Sequence, residues 1–403
     1  MGSTKNFDER AVSVDPSLEG RIFAEVDAVS DEMIEAIRRI VRQKSVRGEP
    51  EEGAPFGADV RAALDQTLEV CRRLGFETTD VDGYMGYASW SSEGGNGGGL
   101  PLPGYVCAIG HLDVVPEGSA GWKVEPYSAH LENGRITGRG VLDNKGPIYA
   151  CLYGLWALKR LGLAPNRDVR IIFGCNEESG FNDLRHYLEH EDAPVMGFTP
   201  DCKYPVVYAE RGRMGVRLAA VPGEGEGREA LLARFFSFVN EYVLSAKPNG
   251  ERFGIDCNDE EFGVTEVRNY KLAFDEGAPA VEFAISYPAG ITADELRGRL
   301  EALAAALGLR LTVTGNLNPV RFEKDCRLVR TLEYAYEHTT GNDGSPVTTT
   351  GGTYAKLMPN IVPFGPSFPG QRDIGHQPNE WMDVKDLIVN AKVYALSLYL
   401  LSR

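Results

Sequence analysis

Apolar residues recur every three to four positions over 24–46 (Ile34, Ile37, Ile40, Val41) and over 57–74 (Val60, Leu64, Leu68, Cys71), which predicts two amphipathic helices. Tyr105-Val106-Cys107-Ala108-Ile109-Gly110 and Arg170-Ile171-Ile172-Phe173-Gly174 are short apolar runs, the pattern of strands buried on both faces. Between them, 146–162 reads as a helix opened by Pro147, whose fixed φ and missing N–H suit a first turn, and closed near Gly162. Strands alternating with helices predict an α/β fold whose mainly parallel mixed sheet is flanked by helices. The stretch Ser91-Ser92-Glu93-Gly94-Gly95-Asn96-Gly97-Gly98-Gly99 has too little side chain to bury and predicts a loop.

The pattern changes at the Pro-Gly-Glu-Gly-Glu-Gly run of 222–227. Beyond it come a helical segment (229–246), strand-like segments (264–272 and 280–287) and another helix (292–307), a smaller inserted α+β unit. From about 320 the first pattern resumes, ending in a helix with Val384, Leu387, Ile388, Ala391, Tyr394, Ala395 and Leu398 on one face. The expected division is therefore 1–205 with 321–403 as one domain and 206–320 as the insert.

Charge and composition narrow the function. The 42 Lys and Arg face 58 Asp and Glu, a net charge of −16 with histidines neutral. A surface this acidic repels phosphate backbones and anionic lipid, so neither nucleic acid nor a membrane is an expected partner. No apolar run approaches the roughly 18–20 residues of a membrane-spanning helix, and Met1 to Arg10 lack the apolar centre of a secretory signal. Seven dispersed cysteines, an odd number without a C-x-x-C, read as reduced thiols and point to the cytoplasm.

Candidate chemistry gathers where the predicted strands end: Gly110-His111-Leu112-Asp113, Gly140-Val141-Leu142-Asp143-Asn144-Lys145-Gly146, Cys175-Asn176-Glu177-Glu178-Ser179-Gly180 and Thr199-Pro200-Asp201, with Gly375-His376-Gln377 far downstream. In an open α/β sheet the carboxyl ends of strands converge on one crevice, so residues distant in sequence meet there. His111 and Asp113 are two apart on an extended segment and share a side, so one can bind metal while the other orients the imidazole. Adjacent Glu177 and Glu178 diverge, leaving one for metal and one to face substrate as a base. Bare carboxylates about 6 Å apart at an effective dielectric of about 20 repel by ~3 kcal/mol per pair, a cost that divalent cations remove. Mixed imidazole and carboxylate donors favour zinc or a similar transition ion.

These segments resemble the co-catalytic zinc peptidases that include aminoacylase, desuccinylases and carboxypeptidase G, and most of all their PepV-like dipeptidase branch. The resemblance is carried by Gly-His-Leu-Asp-Val-Val-Pro (110–116), Gly-Arg-Gly-Val-Leu-Asp-Asn-Lys-Gly-Pro (138–147), Asn-Glu-Glu-Ser-Gly (176–180), Phe-Thr-Pro-Asp (198–201), Gly-Gly-Thr-Tyr-Ala (351–355) and Gly-His-Gln-Pro-Asn-Glu (375–380), and runs over about 20–403. It implies two divalent ions, Zn2+ first with Co2+ or Mn2+ as alternatives, bridged by Asp143. His111 and Asp201 would complete one site, and Glu178 and His376 the other. Glu177 would be the general base, Asp113 the partner of His111, and the Asp143–Asn144 bond cis. The implied reaction is hydrolysis of a dipeptide or similar small amide by a metal-activated water, in a monomer or homodimer whose insert serves as a lid.

Two features of that branch are missing: a lid Gly-x-x-x-His-x-x-x-Pro segment, since no histidine occurs between 191 and 337, and an arginine before Tyr287-Pro288, where Ser286 stands. An oxyanion donor contributes ~3–4 kcal/mol of barrier lowering, so a substitute is expected among Arg211, Arg213, Lys356 and Arg372. The departures keep open an amidohydrolase acting on N-acyl amino acids, and a non-catalytic metal-binding protein, against which the intact Glu177 argues. His130 reads as solvated in a turn, and His338 as a helix-end residue. His186 and His190 stand i, i+4, a spacing that can hold zinc, but no third ligand is evident beside them. Cys175 and Cys202 read as small buried residues.

Overall fold

The computed structural model describes residues 13–92, 102–275 and 278–403, so the N-terminal segment and the predicted loop from 93 onward lie outside the described residues. The first helix, Pro16–Arg42, starts earlier than its apolar stripe predicts because Asp15 caps it, accepting from Ser17 N at 2.8 Å, and Pro16 opens it. The second helix is Ala58–Arg73.

A six-stranded sheet follows the order Glu77–Val81, Met85–Trp90, Asp168–Gly174, Tyr105–His111, Met196–Thr199, Ile361–Pro363. The first three strands pair antiparallel and the remaining joins are parallel. Tyr105–His111 is buried along its whole length, as an apolar run covered on both faces requires. Helices Lys145–Arg160 and Val384–Leu401 pack on this sheet and on each other, with Pro16–Arg42 against both. Gly154 permits that approach: a Cβ there would stand 2.9 Å from the Ala391 carbonyl oxygen and 3.1 Å from Ala395 N.

The chain divides into two compact units, one within Met1–Tyr208, Glu323–Val347 and Thr353–Arg403, the other Ala209–Phe322 with Thr348–Gly352. The second unit's antiparallel sheet has the order Glu266–Asp275, Ala278–Tyr287, Gly212–Ala220, Leu309–Leu317. Its helices are Arg228–Phe238, extended by a π-helical turn over Val239–Leu244, and Ala293–Ala306, which Thr292 and Glu295 cap reciprocally. Phe235, Phe283, Ile285, Leu296 and Leu300 fill its core. The strands 212–220 and 309–317 are absent from the sequence reading; the first alternates buried and partly exposed positions, but its arginines and glycines mask the period. Among the described residues no helix is long and apolar enough to cross a membrane. All seven cysteines are free thiols.

Candidate metal centre

The parallel register sets His111 opposite Gly174, so the end of the Tyr105–His111 strand lies beside the turn that carries Glu177 and Glu178. Asp201 follows the next strand, Met196–Thr199. Asp143 precedes helix Lys145–Arg160, and its peptide bond to Asn144 is cis, as the resemblance implies. Asn144 Nδ2 donates to the Pro200 carbonyl oxygen at 2.6 Å and ties that turn to the Asp201 segment. His376 stands in a turn at φ +61°, a left-handed conformation rare outside glycine and asparagine.

His111 is fully buried, and its Nδ1 donates to the Asp113 carbonyl oxygen at 2.8 Å. Its Nε2 faces Asp143 Oδ1 at 2.9 Å and Asp201 Oδ2 at 3.5 Å. The other oxygen of Asp143 lies 3.0 Å from His376 Nε2, which is also 2.9 Å from Glu178 Oε1. Asp143 therefore offers one oxygen to each imidazole. Donor atoms of His111, Asp143 and Glu178 lie within 4.8 Å of one another, and so do those of His111, Glu177 and Asp201; distance alone does not separate ligands from a base.

Asp113 lies against His111 and also holds the glutamate turn. Its main-chain oxygen orients the imidazole, while its carboxylate, 3.5 Å from His111 Nδ1, accepts from Glu177 N at 3.1 Å and Glu178 N at 3.2 Å. Asp183 does the same one step earlier, taking Cys175 N and Asn176 N at 2.8 Å each and the Tyr354 hydroxyl. Four consecutive amides thus point into two buried carboxylates, which fixes the tandem glutamates. Gly174 leaves room for this: a Cβ there would meet the Tyr354 hydroxyl at 1.8 Å.

Glu380 supports the opposite wall. Its Oε1 accepts from Leu142 N at 2.9 Å and Asp143 N at 3.1 Å, and its Oε2 pairs with Arg139 at 2.8 Å, both side chains being buried. Asp183, Tyr354, Arg139 and Glu380 carry no role in the sequence reading. Tyr354, Arg139 and Glu380 fall inside the quoted motif segments, which was the available signal.

The electrostatics describe an excess of negative charge. Burial raises the Glu177 carboxyl well above its ordinary range and the Asp201 charge adds to it. Burial and the Asp143 charge push Asp201 up to about 7 and also raise Glu178. Burial raises Asp143 too, but His111 and His376 more than offset it and hold it low. His376 is pushed up to about 11 by hydrogen bonds to Asp143 and Glu178. Burial opposes the charge on His111, yet Asp113, Asp143 and Asp201 raise its pKa well above the usual value. Ligands about 2.0–2.1 Å from a tetrahedral zinc ion stand roughly 3.3–3.4 Å apart. The imidazole–carboxylate spacings of 2.9–3.5 Å bracket that value, so these residues fit a divalent transition ion.

Arg211 donates to the Phe262 and Val264 carbonyl oxygens and pairs with Glu266 at 3.1 Å, all within the second unit. Arg213 and Arg372 are exposed, and Lys356 is buried in the turn Tyr354–Lys356. His130 lies in a short exposed strand, His130–Glu132, rather than in the turn that follows. His338 lies in the last turn of helix Arg327–Thr340, as a helix-end residue should, and there it stacks on Tyr334 and sits 3.3 Å from Glu19. Cys175 is buried, as the sequence reading expects, whereas Cys202, on the two-residue strand Cys202–Lys203, is partly exposed.

A Bacillus subtilis (strain 168) protein named "Putative dipeptidase YtjP" is 29% identical over 471 positions, covering 94% of this chain and 99% of that protein. Human carnosine dipeptidase 1 shares the fold with a TM-score of 0.74 at 17% identity, over 96% of this chain and 100% of that one. The Bacillus subtilis YXEP protein, described as a dinuclear metal binding peptidase, gives a TM-score of 0.59 at 13% identity, over 93% and 99% of the two chains. Residues 107–399 match the family model for peptidase family M20/M25/M40. That span begins within the strand that ends in His111 and reaches the last helix, and by it the chain belongs to peptidase family M20/M25/M40, a family of metallopeptidases.

Proposed function

We propose that this metallopeptidase hydrolyses the amide bond of a dipeptide or similarly small substrate at a dinuclear centre bridged by Asp143. The observation that carries the reading is the division of the Asp143 carboxylate, Oδ1 toward His111 at 2.9 Å and Oδ2 toward His376 at 3.0 Å. His111 and Asp201 would hold one ion with Asp143, and Glu178 and His376 the other; zinc suits these donors best, with Co2+ or Mn2+ as alternatives. Bound ions of this kind polarise a carbonyl and lower the pKa of water. Glu177 takes the proton from the attacking water and delivers it to the leaving nitrogen. The Asp113 carboxylate holds the Glu177 and Glu178 amides, so the base and its neighbouring ligand keep a fixed separation. Seven free thiols suit a reducing compartment, and we place the protein in the cytoplasm.

Elemental analysis of protein prepared with zinc is expected to find at least two ions per chain. Less than one would overturn the dinuclear centre.

The substrate set is expected to be narrow. Ser286 occupies the position before Tyr287, the Tyr287 hydroxyl donates to Asn316 Oδ1 at 2.8 Å, and Arg211 is engaged by backbone carbonyls and Glu266. A substrate carboxylate desolvated without a cation costs binding energy that must be recovered elsewhere. These observations favour a second reading, an N-acyl amino acid or other modified amide. We expect weak cleavage of unmodified L-dipeptides and a clear preference within a panel that adds N-acyl amino acids and β-alanyl or D-containing dipeptides. Broad kcat/KM values near ~10⁵ M⁻¹s⁻¹ or above for ordinary dipeptides would contradict it.

A further inference from the structure

The histidine pair left without a third ligand in the sequence acquires one in the fold. His186 and His190 lie on helix Asn182–His190, and their rings stack with centroids 4.2 Å apart. Across from them is the turn that joins strands Glu77–Val81 and Met85–Trp90. Asp82 in that turn, at φ +53°, places Oδ2 3.0 Å from His186 Nε2. One donor atom from each of Asp82, His186 and His190 lies within 4.8 Å of the other two.

Each of the three is held in place by something else. His190 Nδ1 donates to the His186 carbonyl oxygen at 2.8 Å, which leaves the Nε2 lone pair for a ligand. The Tyr84 ring stacks on His186 at 3.9 Å, and Phe56 meets the Tyr84 ring edge-on at 5.3 Å. The Asp82 turn is fixed by Asp80, which accepts from Gly83 N at 2.8 Å and pairs with Arg61 at 2.6 Å. A helical i, i+4 histidine pair with one carboxylate is a three-ligand arrangement that suits zinc and leaves a further position for water. Its two imidazoles select against magnesium and calcium, which prefer oxygen donors throughout.

We propose that Asp82, His186 and His190 form a second, peripheral site for a divalent transition ion, Zn2+ in the first instance, separate from the His111–His376 cluster. An ion bound there joins the helix to the Asp82 turn. The same helix carries Asp183 in its first turn, and Asp183 holds the Cys175 and Asn176 amides ahead of the tandem glutamates.

The test is Zn2+ stoichiometry of the chelator-stripped full chain, read by competition with a chromophoric chelator at micromolar free metal. It compares the parent, the double variant His186→Ala/His190→Ala, and Asp82→Asn. Because the result is a difference between proteins, it does not depend on how many ions the His111–His376 cluster takes. The parent is expected to bind one ion more than the double variant, with Asp82→Asn weakening that ion by about tenfold or more. Mg2+ should not replace it. Equal stoichiometry in the parent and the double variant would overturn the site. Loss in the double variant with unchanged affinity in Asp82→Asn would overturn the three-ligand assignment. Both histidines and Asp82 are at least partly exposed, so the variants should fold, and a parental turnover rate would report that they have.

Discussion

Glutamine in place of Glu177 is expected to leave metal uptake at the parental level and to cut kcat by about 10³-fold or more, within the range that a positioned acid–base group contributes. The substitution keeps the volume of the side chain and its main-chain hydrogen bond to Asp113, so the loop that carries it should not move. What it removes is a carboxylate able to accept a proton and give it back. The neighbour provides the contrast: Glu178→Ala takes away the oxygen 2.9 Å from His376 Nε2 and should lower the ion count by one per chain. Turnover and elemental analysis on the same two preparations separate the roles. A Glu177→Gln protein that turns over at the parental rate would remove Glu177 from the reaction; one that loses metal would make it a ligand.

The largest expected effect on stability comes from Glu380, which is buried. Glu380→Ala strips Arg139 of its carboxylate in a buried site and leaves the Leu142 and Asp143 amides without their acceptor. The remaining Arg139 contacts, to the Gln377 and Pro116 carbonyl oxygens at 3.3 and 3.4 Å, are long, and Trp122 lies 5.3 Å from the guanidinium. Removing one partner of a buried pair costs about 3–5 kcal/mol because the other charge stays behind. In a unit of this size that lowers the melting temperature by on the order of 5–10 °C. Glu380→Gln keeps an acceptor for the two amides and should fall between the alanine variant and the parent. Measured in chelator, the difference reports folding and not metal affinity. Parental melting of Glu380→Ala in chelator would show that the Asp143 turn holds itself.

Those two residues mark where sequence reading stops. Glu177 was legible because an apolar strand breaks off into a run of acids, and two adjacent carboxylates cannot face the same way. His111, Asp143, Asp201 and His376 were legible as candidates in short glycine- or proline-marked segments, and their division between two ions came from the resemblance those segments carry. Glu380 and Asp183 were not, because most of the groups they hold are backbone amides, and an amide looks alike at every position in a sequence. Asp113 shows the same limit: two-residue spacing gives its side, but not that its carboxylate would take two amides while its main-chain oxygen took the imidazole. Asp82 stands 104 residues before His186, and only the packing of a hairpin turn against a helix joins them. In the second unit the helices were readable from their apolar repeat, whereas strand 212–220 has its period masked by two glycines and two arginines, and strand 309–317 does carry a legible alternation, from Leu309 to Thr314, that the sequence reading leaves out.

The order of strands in the larger sheet bears on how the protein is made. Its last strand, Ile361–Pro363, and the helix Val384–Leu401, which packs on strand Tyr105–His111, arrive after the whole of Ala209–Phe322 has been synthesised. On the ribosome, the five earlier strands must wait for both, exposing an unpaired edge at Met196–Thr199 and an uncovered apolar face during that delay. The second unit is almost continuous in sequence and can fold while it is still being translated. Nascent chains halted before residue 361 should therefore bind chaperone holdases through the N-terminal half, and a chain ending short of residue 384 should aggregate although it contains every one of the metal-ligand candidates.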